Sequence, residues 1–155
     1  MNHDAGTSQE QRGTARENVS VRPFHLAFPV KDLEESRKFY ETIPGCRMAR
    51  TGKNWIDFDF LGHQITAHYA ENAEKTRVFN KVDREIVPVP HFGVVVSDRE
   101  FNQIRDALVE AGIQFLIEPT VRFRGQYAEQ RTMFFADPSG NHLEIKSFRR
   151  IEEMF

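Results

Sequence analysis

The sequence predicts an α+β fold made of two tandem βαβββ modules, and three observations predict it. His25-Leu-Ala-Phe-Pro-Val30 and His91-Phe-Gly-Val-Val-Val96 are matching alternating strands set 66 residues apart. His25 precedes Asp32, and His91 precedes Asp98, by seven residues each, while Gly45 and Gly112 follow their histidines by 20 and 21. Helix starts and stops therefore coincide in the two halves. Finally, Gly62-His-Gln-Ile-Thr-Ala-His68 lies against Gly140-Asn-His-Leu-Glu-Ile-Lys146, which sets Thr66 opposite Glu144.

Each element follows in order. Residues 1–20 contain few apolar side chains and predict a disordered tail, leaving 21–155 as a single domain. Module one occupies 23–70. Its first strand, Pro23 to Val30, places Leu26, Phe28 and Val30 on one face and His25 and Ala27 on the other. Asp32, with Glu35 three residues on, caps a helix whose apolar stripe includes Leu33, Tyr40 and Ile43, and Pro44-Gly45 stops it. Cys46–Arg50, Asn54–Phe60 and His63–Tyr69 read as three strands divided by Thr51-Gly52 and Leu61-Gly62. Residues 71–89, charged and then rich in Val-Pro, predict a linker. Module two, 90–148, repeats the pattern. Ser97 to Glu100 forms a capping box, Phe101, Ile104 and Leu108 the helix stripe, and Ile113–Glu118, Thr132–Asp137 and His142–Ser147 three strands.

Composition narrows the function. With 21 basic against 23 acidic residues the chain has a net charge of -2, which offers no basic field for nucleic acid or anionic membranes. There is no apolar run long enough to span a bilayer and no secretory segment at the start, and a lone Cys46 excludes an internal disulfide. These features point to a cytoplasmic protein acting on a small molecule, with no nucleic-acid or membrane partner. Cys46 has no nucleophile motif around it, and no glycine-rich phosphate loop occurs.

Strand alternation sorts the sheets into two faces. One is apolar and packs beneath the helices. The other carries His25, Gln64, Thr66, His68, His91, His142, Glu144 and Lys146, an unusual set unless the face lines a wet cavity or a metal site. Two imidazoles and one carboxylate make the facial triad of mononuclear non-haem iron sites. His25 and His91 hold equivalent places in the duplicated units, and Glu144 stands at the matching end of the last strand. A plainer alternative is that each histidine is hydrogen-bonded within its sheet and that Glu144 pairs with Lys146 or an arginine.

These residues resemble the vicinal oxygen chelate superfamily: glyoxalases, fosfomycin and bleomycin resistance proteins, and extradiol dioxygenases. The likeness covers about residues 23–148 and is most specific at Asp137-Pro-Ser-Gly-Asn-His-Leu-Glu144. A smaller glyoxalase-like or dioxygenase-like bacterial group is also similar, through Gly62-His63-Gln64, Pro90-His91-Phe92-Gly93 and Glu129-Gln130-Arg-Thr-Met-Phe-Phe135. The resemblance implies that the modules form a curved mixed sheet around a metal-binding cup with the helices outside, in a homodimer. Glyoxalase-like lyases draw a fourth ligand from the position of Thr66, a poor metal ligand. The three-ligand set His25, His91 and Glu144 instead resembles that of extradiol dioxygenases. The expectation is an Fe(II) dioxygenase on an oxygen-chelating substrate, with Mn(II), Zn(II) or Ni(II) as other metals. The alternatives are a lyase, isomerase or resistance transferase, or a metal-free drug-binding protein.

Other polar residues extend the expected site. His68 can move a proton near the metal, with Gln64 and Thr66 beside it on the strand. His25 to Thr66 spans 41 residues and His91 to Glu144 spans 53, so module two carries an extra loop from Pro119 to Gln130. Arg122 suits a substrate carboxylate. Phe123 and Tyr127 suit an aromatic ring, and Glu129 and Gln130 complete the expected substrate-binding set.

Overall fold

Both helices begin where the sequence places them, because each N-cap side chain accepts from an otherwise unpaired amide of the first turn. A computed structural model describes residues 21–72, 78–82 and 85–155; the predicted tail, 1–20, lies outside the described residues. Asp32 Oδ1 accepts from the Glu35 amide at 2.7 Å to start α1 (Leu33–Glu41). Ser97 and Glu100 form a reciprocal capping box that starts α2 (Asp98–Glu110).

The first module is β1 (His25–Val30), α1, β2 (Cys46–Gly52), β3 (Trp55–Phe60) and β4 (His63–Tyr69). After a hairpin of β5 (Val78–Val82) and β6 (Glu85–Val89), the second is β7 (Phe92–Val95), α2, β8 (Phe115–Arg122), β9 (Gln130–Ala136) and β10 (His142–Phe148). The two four-stranded sheets have the same order, β1-β4-β3-β2 and β7-β10-β9-β8, each with one parallel pair between its first and last strand. The duplication read from the sequence is thus a duplication of topology.

Two expectations are corrected. The segment 71–89 is not a plain linker, because β5 and β6 pair antiparallel from Val78↔Val89 to Val82↔Glu85. Pro88 is tolerated because, among the described residues, this two-stranded hairpin has no further strand demanding its missing amide. The buried Val87 then packs with Ile117 and Phe134 to form a small second core. The expected loop 119–130 also shrinks to 123–129. β8 continues through Pro119 to Arg122, with its register irregular between Ile117 and Thr120, since it is the outer strand of its sheet.

The main core lies between the sheets and the two helices, where Tyr40, Phe58, Phe60, Phe101, Phe135, Ile104 and Leu108 are almost wholly buried. The modules meet through it: Phe28 stacks near Phe92 with centroids 5.2 Å apart, and Phe39 lies 6.2 Å from Phe135. The most family-specific stretch has a structural role here. Asp137 accepts from Tyr40 Oη at 3.0 Å, from the Asn141 amide at 2.7 Å and from Asn141 Nδ2 at 2.6 Å. Asn141 Nδ2 also donates to the Pro29 carbonyl, and Ser139 Oγ accepts from the Lys31 amide. The turn therefore fastens module two to the end of β1 while it fixes where β10, and hence Glu144, begins.

Candidate metal centre

β7 and β10 run parallel, with Gly93 opposite Glu144, so His91 enters beside the first turn of side chains on β10. His91 Nε2 lies 3.1 Å from Glu144 Oε2. Its other nitrogen, Nδ1, sits 2.6 Å from the Pro88 carbonyl oxygen and must donate to it, because a carbonyl oxygen only accepts. The hairpin that sequence reasoning took for linker thus sets the tautomer of His91. In a neutral ring the Nε2 lone pair then faces a carboxylate oxygen, a repulsive arrangement unless a cation stands between them. That cation is either a proton on Nε2 or a metal ion. An imidazole nitrogen and a carboxylate with a fixed second hydrogen bond suit a borderline divalent ion, so the donor set fits one.

Glu144 is 4% exposed, and its charge is met on several sides. Thr132 Oγ1 donates to Oε1 at 2.5 Å, and Lys146 Nζ stands 3.3 Å from Oε2. The plainer pairing of Glu144 with Lys146 is therefore present in the chain alongside the histidine contact. The hydrogen bond to Glu144 raises the His91 pKa against the opposing effect of burial, with help from Pro88. Burial works to raise the Glu144 pKa, but the His91 and Thr132 hydrogen bonds outweigh it and the net shift is downward.

Stability should follow these shifts. His91 contributes fully below its ordinary value of 6.5 and loses its contribution as pH rises through the raised folded value. Glu144 contributes above 4.5 and loses its contribution as pH falls through the lowered folded value. With metal removed, the urea midpoint is expected to be highest between these ordinary values and to decline on both sides. His91→Gln should flatten the alkaline decline, and an unchanged decline would contradict the pairing.

His25 does not join this pair. It is exposed at the start of β1 in the other sheet, and among the described residues no three His, Cys, Asp or Glu side chains gather to hold a metal. His68 is also on that sheet, exposed and on the same face as His25. Gln64 and Thr66 are engaged elsewhere: both donate to the buried Asp57, at 3.2 and 2.6 Å, and Arg50 closes on it at 2.6 Å. These contacts hold the Asp57 pKa low despite its burial.

The long-loop residues divide. Arg122 is 4% exposed, and among the described residues its Nε and Nη2 have no hydrogen-bond partner. Its guanidinium lies over the Phe134 ring at 5.6 Å, and His91 meets the same ring edge to face at 5.0 Å. Gln130, paired with Arg122 across the strands, is buried with Oε1 unpartnered. Phe123 turns the chain at φ 52, the exposed Tyr127 donates to the Phe155 carbonyl, and Glu129 accepts from the Gly125 amide. Those three shape the loop.

Sequence reasoning missed the Pro88 carbonyl, Thr132 and Phe134. Strand parity could have found two of them, since Thr132 and Phe134 share the Glu144 face; the Pro88 contact depends on a hairpin without a clear local signal.

Comparison with known proteins agrees with this architecture. Residues 22–145 match the family model described as Glyoxalase/Bleomycin resistance protein/Dioxygenase superfamily. The chain is 30% identical over 121 residues to the metallothiol transferase FosB of Lysinibacillus sphaericus, covering 78% of each. Among solved structures, a glyoxalase/bleomycin resistance protein/dioxygenase from Alicyclobacillus acidocaldarius is 34% identical, with a TM-score of 0.70 over 86% of this chain and 96% of that one. The fosfomycin resistance protein FosX of Listeria monocytogenes shares the fold at 18% identity, with a TM-score of 0.63 over 88% and 99%. With the paired βαβββ modules and a match across most of its length, the chain belongs to the glyoxalase/bleomycin resistance protein/dioxygenase superfamily.

Proposed function

We propose that this protein is a divalent-metal-dependent transferase that joins a thiol to a small substrate bearing an oxyanion. The observation that carries the reading is the His91–Glu144 contact, in which Pro88 orients Nε2 towards a carboxylate. The triad is completed by His25 of a second copy of the chain, making the protein a homodimer. The duplicated position of His25 and its exposure on the other sheet support this. The named relatives favour transfer over the ring-cleaving oxygenation expected from the ligand set, since the similar FosB is a metallothiol transferase.

When bound, the ion supplies Lewis-acid polarisation of a substrate carbon–oxygen bond. The thiol sulfur forms a bond to that carbon as the carbon–oxygen bond breaks; the electron pair goes to oxygen, which receives the thiol proton. In this reading His68, which shares the His25 face, carries that proton. Arg122 holds the oxyanion through its two unpartnered nitrogens. Gln64 and Thr66 brace Asp57 rather than meet substrate.

The test is to supply Mn(II), Fe(II), Zn(II) or Ni(II) to stripped protein with fosfomycin and either cysteine or glutathione. Metal-dependent thiol loss with an adduct mass supports transfer. Metal-dependent oxygen uptake with catechols, and no thiol loss, would overturn it.

Arg122 gives a separate prediction. A buried unpaired charge destabilises its own fold, so Arg122→Met should leave the melting temperature of the ligand-free protein unchanged or raised. Its affinity for inorganic phosphate should fall about tenfold or more, because the substitution removes a charge-assisted pair. Calorimetric titration reads the affinity; unchanged phosphate binding would remove Arg122 from the site.

A further inference from the structure

Lys146 is unexplained by the metal reading alone. It lies on β10 two residues beyond Glu144, on the same face, and its Nζ approaches Glu144 Oε2 at 3.3 Å, the same oxygen that faces His91 Nε2. The Lys146 side chain is 34% exposed and that of Glu144 is 5% exposed, so the lysine has room to move while the carboxylate does not. Thr132 holds the other carboxylate oxygen. An ion bridging His91 and Glu144 needs the lone pairs of Oε2 that the ammonium now engages.

We propose that Lys146 keeps the metal's place in the empty protein and, once displaced, becomes a substrate-binding cation. The inference rests on the metal reading of His91 and Glu144 and goes beyond it by giving one residue two successive partners. The first role follows from burial. A carboxylate this enclosed needs a compensating cation whether or not metal is present, and Lys146 supplies it from a flexible four-carbon stem. The second role follows from charge. After loading, the face carries a divalent ion and the fixed Arg122 cation against the single Glu144 carboxylate, and the released ammonium adds a further positive charge. It can turn outward to water or towards whatever occupies the face. A substrate with a phosphonate, phosphate or carboxylate group matches that field and gives Lys146 a second acceptor in place of Glu144.

The two possible roles of Lys146 predict opposite signs. If it merely props Glu144 in position, Lys146→Met loosens the ligand and weakens metal binding. If it holds the metal's place, the substitution removes a competitor and a repelling charge. Metal affinity then rises about two- to fivefold, the size expected of a partly exposed pair. The experiment is a competition titration of Zn(II) against a chromophoric chelator for wild type, Lys146→Met and His91→Ala, followed by calorimetric titration of methylphosphonate into loaded wild type and loaded Lys146→Met. The expected result is tighter Zn(II) binding by Lys146→Met, at least a fivefold loss of methylphosphonate affinity in the same variant, and loss of Zn(II) by His91→Ala. Unchanged or weaker Zn(II) binding by Lys146→Met, with wild type binding normally, overturns the place-holding role alone. Unchanged methylphosphonate affinity overturns the substrate role. If wild type binds no Zn(II), the metal reading and this inference fall together. Near-ultraviolet circular dichroism confirms that the variant is folded.

Discussion

Glu144→Ala is expected to lower metal affinity by more than about a hundredfold, beyond the range typical of residues that only orient a ligand, and to remove metal-dependent activity with it. The substitution deletes the one carboxylate to which His91, Thr132 and Lys146 all point. It also leaves His91 and Lys146, two groups that had shared a counter-charge, without one, so no nearby group can take over as the anionic ligand. Thr132→Ala should cost far less, because it removes a neutral donor to one oxygen and leaves Oε2 in place. Metal content by elemental analysis, with circular dichroism as a folding control, checks both. Full metal content in Glu144→Ala would place the centre elsewhere.

Gly93→Ala is the second large effect, and it acts through the backbone. A Cβ built at Gly93 would lie 1.6 Å from the Glu144 carbonyl oxygen and 2.6 Å from its carbonyl carbon, far inside contact distance. Gly93 is the register partner of Glu144, and the glycine lets β7 approach β10 this closely. An alanine must push the strands apart. The expected cost is about 3 kcal/mol or more, at the upper end of overpacking effects, read as a lower urea midpoint. Because His91 lies two residues earlier, the surviving folded protein should also bind metal more weakly. A midpoint and metal affinity equal to wild type would show that β7 and β10 do not approach as described.

Much of this was legible in the sequence because it is local or periodic. The N-caps Asp32 and Ser97 announce themselves by the acidic residue three places later, and the repeat aligns His25 with His91 by spacing alone. Parity put Glu144 and Lys146 on one face. Long-range pairing hid the rest. Residues 78–89 look like a proline-broken linker because the reason they form strands is the partner strand, and the reason Val87 is buried is a ring, Phe134, nearly 50 residues away. β8 passes through Pro119 because no described strand pairs on its outer side, which depends on sheet order rather than composition. Gln64 and Thr66 sit on the expected face, yet Asp57 takes their hydrogen bonds, a choice made across strands. The repeat also placed His25 and His91 in equivalent positions without saying whether the two modules of one chain bring them together, and the single chain leaves them on separate sheets.

The proposed metal centre draws on His91 and Glu144 of one subunit and His25 of another, and a mixing experiment separates this arrangement from one built within a single chain. His25→Ala and Glu144→Ala chains, each expected to be inactive alone, are co-expressed with different tags, and the tandem-purified mixed dimer is assayed for bound metal and thiol transfer. In such a dimer one site keeps both the intact His25 and the intact Glu144, while the other loses both. The expected result is about half the metal and activity of the wild-type dimer. A mixed dimer as empty and inactive as its two parents would contradict it.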